Sequence, residues 1–308
     1  GDNVIIPSFT FIATANTVLS VNAEANFTDI EDVTYGLNPD LIKSKINKKT
    51  KAIIPVDIGG TACDILKINQ IAQEEGITVI EDSAESLGTT VNNNKIGSIS
   101  NTSIFSFCGN KVLTTGEGGA VTTNSKEIYE KIKLIRSHGR LDNVNYFNNP
   151  EESQYFGIGY NWRMSTMTAV LGLSQLSKLD KIIKMRQDNA KFISSRLEKF
   201  NEITMPKTLE NTSHIFQMFT IKLKNKEIRD KLHKFLITKK IFSKVYFSPI
   251  HKTEFYKEKY PDTDKELPIT NLIASKVLTL PLYPNMTNDE KHFLVDSISE
   301  FFEENNLN

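Results

Sequence analysis

The chain has 308 residues, of which 39% are hydrophobic and 24% charged, enough to bury a sizeable core in one large domain or two smaller ones. Its 37 basic side chains are balanced by 37 acidic ones, which argues against nucleic acid or an anionic membrane as the main partner, since both require a basic surplus or patch. No apolar run approaches the length of a membrane span.

Val4–Ile6 reads as a short buried strand ended by Pro7. Ser8 and Thr10 are N-cap candidates for a helix running to about Leu19. Ala25–Ile30 reads as a second strand, and Asn38-Pro39-Asp40 opens a helix through Ile46. Thr50–Val56 groups its apolar residues as a strand covered on both faces does. Asp64–Glu75 is amphipathic, with Ile65, Ile68, Ile71 and Ala72 on one side and Gly76 as its stop. Strands follow at Ile77–Ile80, Ser103–Phe107 and Ala120–Thr123, then a helix from Ser125 to Ser137. Strands and helices alternate over short connections. This predicts an α/β fold: an open, mostly parallel sheet with helices on both faces, filling residues 1–175.

Residues 140–160, rich in Asn143, Asn145, Tyr146 and Phe147, read as a long loop. A helical region runs from Ser165 to about Phe200, interrupted near Lys178-Leu179-Asp180. Beyond it come a strand at Ile215–Leu223, a helix at Lys226–Lys239, a strand at Val245–Phe247 and a closing helix at Thr287–Phe302. These predict a smaller α+β domain over residues 176–308. Cys63 and Cys108, the two cysteines, are too few for a disulfide scaffold and match no metal-ligand pattern; they fit a reducing cytosol. Residue 1 is Gly, and Gly1-Asp2-Asn3 leads straight into a strand, so a fragment with further sequence upstream is the expectation.

Ligands of an open α/β sheet collect beyond the carboxyl ends of its strands. Asp82 and Lys111 both fall just past such ends. Asp82 alone is either a helix cap or the partner of a buried cation. Lys111 alone is either a solvated loop lysine or an amine made nucleophilic by partial burial. On one sheet edge, they supply the two groups that pyridoxal phosphate (PLP) requires: a lysine for a Schiff base and a carboxylate that keeps the pyridine nitrogen protonated.

Around these residues the chain resembles the DegT/DnrJ/EryC1/StrS aminotransferase family. The likeness rests on Asp82-Ser83-Ala84-Glu85-Ser86-Leu87-Gly88, on Phe105-Ser106-Phe107-Cys108-Gly109-Asn110-Lys111, and on Thr114-Thr115-Gly116-Glu117-Gly118-Gly119. Val4–Phe11, Arg136–Gly139, Gly159–Met164 and Leu280–Pro284 are similar to further family blocks. The resemblance implies a fold-type I, PLP-dependent enzyme that moves an amino group from glutamate to a nucleotide-linked keto-sugar. It implies Lys111 as the Schiff-base residue, Asp82 at the pyridinium nitrogen, Glu85 near the ring oxygen, Phe11 stacked on the ring and Ser106 at the phosphate. Asn161 is implied to reach the cofactor of a partner subunit, in a homodimer with shared active sites. Other roles stay open: Phe11 as core, Ser106 as a hydroxyl bonded to backbone, Asn161 as a turn residue.

His138 reads as structural or as a support behind the site, and Cys108 as a small filler, while Ser248-Pro249-Ile250-His251 resembles a family Pro-x-His segment, which implies His251 near the sugar site. The form of residues 109–119 is most similar to the perosamine-synthase branch, which implies amination at C4. A dehydratase of the same family is an alternative, though that branch is associated with histidine in place of the lysine. The family's Ser-Gly-Thr phosphate loop has no counterpart before Phe11, so a truncated, non-catalytic chain is a further alternative.

Overall fold

The computed structural model describes residues 1–140 and 155–305. The loop expected at 140–160 therefore falls largely outside the described residues.

The N-terminal part alternates β1 (Asn3–Pro7), α1 (Ala13–Ser20), β2 (Glu24–Thr28), α2 (Pro39–Lys45), β3 (Thr50–Ile53), α3 (Ile65–Glu75) and β4 (Thr78–Asp82). A small hairpin follows, β5 (Thr90–Val91) and β6 (Asn94–Lys95), then β7 (Thr102–Ser106), β8 (Gly119–Thr123) and α4 (Lys126–Arg136). Six strands form one sheet in the order β2-β1-β3-β4-β7-β8. All neighbours run parallel except β7 and β8, which pair antiparallel from Thr102↔Thr123 to Ser106↔Gly119. Alternation along β1 sets its two faces. Ile5 packs with Ile42, Ile53, Ile65 and Ile68 under α2 and α3, whereas Val4 and Ile6 pack with Ala15, Val18 and Phe27 against α1. Helices thus cover both faces, as expected.

Local chemistry explains where several helices begin and end. The Asn38 side chain accepts from the Asp40 amide and Pro39 starts α2; Asp64 accepts from the Lys67 amide, and α3 ends on Gly76 at φ 66°. Ser8 and Thr10 do not cap α1. That helix starts at Ala13, behind Ile12, with no side-chain cap. The Ser8 hydroxyl is instead 2.7 Å from His251 Nδ1, and that of Thr10 lies 3.3 Å from the Thr14 hydroxyl.

The later elements are α5 (Thr166–Leu176), α6 (Leu179–Leu197), β9 (Ile203–Thr204), β10 (Phe219–Leu223), α7 (Lys226–Thr238), α8 (Glu254–Lys259), α9 (Pro268–Lys276), β11 (Val277–Leu280) and α10 (Asn288–Glu304). Antiparallel β11-β10-β9 forms a second sheet, and its core joins Phe219 and Ile221 to Ile193, Leu232, Leu236, Ile298 and Phe302 of α6, α7 and α10. The strand expected at Val245–Phe247 is absent; Lys244 makes only an isolated bridge to Thr279. The pairing belongs to β11, where all four residues are buried, so no alternation reveals it. Residues 215–218, expected to be part of a strand, lie before β10 and run alongside Gly59 and Gly60: the Ile215 amide donates to the Gly60 carbonyl and the Met218 amide to that of Gly59.

Candidate active site

Parallel pairing of β1, β3, β4 and β7 brings their C-terminal ends to one edge. The segments beyond them are 8–12, 54–61, 83–88 and 107–118. Asp82 is the last residue of β4, and Lys111 lies in the loop joining β7 to β8. That loop is pinned at its base, where the Phe107 amide donates to the Gly118 carbonyl and the Thr115 amide to the Phe107 carbonyl. Within it the Lys111 amide donates to the Cys108 carbonyl, a tight turn that turns the lysine back over the sheet edge.

The Lys111 side chain is 13% exposed, and its Nζ lies 3.3 Å from Glu85 Oε1; the Glu85 side chain is 12% exposed. The other carboxylate oxygen of Glu85 accepts from the Gly59 amide at 2.8 Å. Lys111 is therefore not a solvated loop lysine. Its amine is sheltered beside a carboxylate that is itself anchored to backbone.

Asp82 is buried. Its Oδ2 accepts from the Thr14 hydroxyl at 2.9 Å and its Oδ1 from the Ala84 amide at 3.2 Å. Burial raises its pKa above the ordinary carboxylate value, and the charge of Glu85 adds to this. The Thr14 and Ala84 hydrogen bonds and the charge of Lys111 pull it down. Such a carboxylate gains from a cationic partner close by.

Phe11 is 63% exposed, so it does not belong to the core formed by the described residues. The Ser106 hydroxyl, at the end of β7, accepts from the Cys108 amide at 3.3 Å, leaving its own proton free to be donated. Asn161 is not joined by hydrogen bond to Lys111, Asp82 or Glu85. It sits on an exposed segment bridged to Ser137, where its side-chain oxygen accepts from Arg163 Nε at 2.9 Å. Apolar side chains are exposed along the same stretch of chain and the helix that follows it, among them Ile158, Trp162, Met167 and Leu173.

His138 holds a positive φ of 59°, and its backbone N–H donates to the Tyr160 carbonyl. His251 is buried between the Ser8 hydroxyl and Asp264, with its Nε2 3.1 Å from Asp264 Oδ1. Cys108 Sγ lies 3.7 Å from Glu117 Oε1. Among the described residues no cluster of His, Cys, Asp and Glu could hold a metal ion, and no helix is long and apolar enough to cross a membrane.

Thr14 and Gly59, which orient Asp82 and Glu85, carry no signal in a linear motif. Asp57 was equally hidden. Buried beneath the 83–86 turn, it accepts from the Cys63 amide and the Ser83 and Ser86 hydroxyls, and so holds the turn that presents Glu85.

The model of the DegT/DnrJ/EryC1/StrS aminotransferase family matches residues 1–299. A GDP-perosamine synthase of Vibrio cholerae is 34% identical over 98% of this chain and 80% of its own length. A UDP-N-acetyl-3-dehydro-alpha-D-glucosamine 3-aminotransferase of Acidithiobacillus ferrooxidans is 32% identical over 94% of this chain and 75% of its own. Among solved structures, Helicobacter pylori PseC, an aminotransferase involved in the biosynthesis of pseudoaminic acid, superposes with a TM-score of 0.92 at 26% identity, covering 98% of this chain and 80% of that one.

Proposed function

The chain belongs to the DegT/DnrJ/EryC1/StrS aminotransferase family, and from that premise we propose that it is a PLP-dependent transaminase that aminates a nucleotide-linked keto-sugar for polysaccharide biosynthesis. The observation that carries this proposal is the meeting, at one sheet edge, of a sheltered lysine amine and a buried aspartate that forms no ion pair among the described residues and, of cations, feels only the charge of Lys111.

The donor set fits PLP. Lys111 supplies the attachment amine, Asp82 a carboxylate for the pyridine nitrogen, and Phe11 an exposed flat face for the ring. Glu85 stands beside Lys111 for the ring oxygen, and the Ser106 hydroxyl has a proton for the phosphate. When bound, PLP supplies an electron sink that acidifies the carbon bearing the amine. Lys111 would carry the proton to and from that carbon, and Glu85, 3.3 Å from its amine, would hold the ammonium form in place. Asp82, fixed by Thr14 and Ala84, keeps its negative charge aimed at one point while charge develops.

Glutamate is the amino donor in this proposal, and a 4-keto-6-deoxy sugar the acceptor. The PLP-binding part is residues 1–175 and the smaller part residues 176–308. The exposed apolar residues of the 158–173 region support pairing with a second copy in the cytosol, with Asn161 directed to the partner's cofactor.

The test is a panel of nucleotide-linked 3-keto and 4-keto sugars incubated with glutamate and the protein, with amine products read by mass spectrometry. Amination of a 4-keto sugar supports the proposal. Transfer to simple keto acids but to no nucleotide-linked sugar would overturn the substrate class.

A further inference from the structure

Gln217 lies far from Lys111 in sequence, yet it holds the residue next to it. Its Nε2 donates to the Asn110 carbonyl at 2.7 Å. The side chain is more than nine-tenths buried, and its Oε1 is buried without a hydrogen-bond partner among the described residues. An apolar side chain of similar volume would avoid the cost of that unfilled acceptor. The amide is therefore used on one side only, as a donor to the lysine loop.

Its backbone is fixed from two directions. Arg186, buried on α6, donates through Nη1 to the carbonyls of Phe216 (2.9 Å), Gln217 (3.4 Å) and Leu282 (3.2 Å). On the other side the segment interlocks with the turn after β3. The Met218 amide donates to the Gly59 carbonyl and the Ile215 amide to the Gly60 carbonyl. Gly60 has φ +104°, and a Cβ there would stand 2.7 Å from the Gln217 nitrogen, so only glycine permits this approach.

That same turn grips Glu85, through the Gly59 amide, and Glu85 grips the Lys111 amine. A closed circuit results. Lys111 is held by its side chain through Glu85 and Gly59, and by its backbone through Asn110 and Gln217. Both arms end on the contact between the Gly59–Gly60 turn and residues 215–218.

We propose that Gln217 is a positioning residue of the transamination site, fixing the Lys111 loop so that the amine meets the substrate carbon from one direction. The residue comes from the segment leading into the second sheet, so the smaller part of the chain sets the geometry of a lysine borne by the larger. This rests on Lys111 being the PLP attachment residue, and the test separates the two claims.

Three variants are compared with the unsubstituted protein. Gln217→Met removes the donor at similar volume, Gln217→Glu replaces it with an acceptor, and Gln217→His retains a ring N–H. The readouts are the pH titration of the visible band of lysine-bound PLP, kcat and KM separately, and amide hydrogen exchange at Asn110–Val112 in the cofactor-free protein. The Met and Glu variants should stay yellow, exchange faster at these amides, titrate at a shifted pH and lose about tenfold in kcat with KM changed less than about threefold. The His variant should recover most of the loss. Variants that titrate and turn over like the parent overturn the role of Gln217, and so does a rise in KM with kcat unchanged. A parent protein that never turns yellow with PLP overturns instead the assignment on which the proposal rests.

Discussion

Glu81 precedes Asp82 on β4 and points to the other face of the sheet, where it is wholly buried and its Oε2 accepts from the Ser103 hydroxyl at 2.7 Å. Burial, and then the charge of Asp57, push its pKa from 4.5 up to about 8. Asp57, its partner, is shifted in the same direction but less. Burial raises it to about 6, while the Cys63 amide and the Ser86 and Ser83 hydroxyls draw it down. Glu81 thus carries a proton in the folded protein that it lacks in the unfolded chain at the same pH.

The sign follows from linkage. The folded pKa is raised, so Glu81's contribution is fully present below about 4.5 and is lost as the pH climbs towards about 8. From pH 6 to pH 8 the loss is about 1.4 kcal/mol per pH unit, softened as the folded group starts to titrate, or about 2 kcal/mol in all. Glu81→Gln keeps the shape and the acceptor for Ser103 but has no proton to lose. The stability of the variant relative to the parent should therefore rise by about 2 kcal/mol between pH 6 and pH 8, whatever its fixed offset. Urea unfolding of both proteins at several pH values in this range measures it. Stability curves that stay parallel would refute the reasoning.

Asp82→Asn keeps an acceptor for Thr14 but removes the charge, and should lower kcat about a hundredfold or more while the fold is retained; activity within threefold of the parent would count against the assigned role. Gly60→Ala puts a Cβ 2.7 Å from the Gln217 nitrogen and 2.8 Å from Ile215 Cγ1 at a φ that L-residues avoid. It should cost about 2 kcal/mol or more of stability in urea unfolding, and an unchanged midpoint would show that the two segments do not interlock.

Much of the sheet edge was legible in the sequence because it is built from local signals. Asp82 and Lys111 each follow a short apolar run, Gly76 closes α3, and Pro39 opens α2. The supports of the site were not legible, because they come from separate segments that only the fold brings together. Thr14 reaches Asp82 from α1, Gly59 reaches Glu85 from the turn after β3, and Gln217 reaches Asn110 from the approach to β10. Ser8 shows the same limit in reverse. It has the chemistry of a helix cap, but its hydroxyl is taken by His251, a residue no local pattern could have linked to it. β11 was hidden for another reason: burial of all four residues erases the alternation that marks a half-exposed strand.

The central claim is that Lys111 is the amine that holds the cofactor. Reducing the PLP-treated protein with borohydride and mapping its peptides by mass tests this most directly. One pyridoxyl group should appear, on Lys111, and Lys111→Ala should carry none. A label on another lysine, or one that survives the alanine substitution, would contradict the claim.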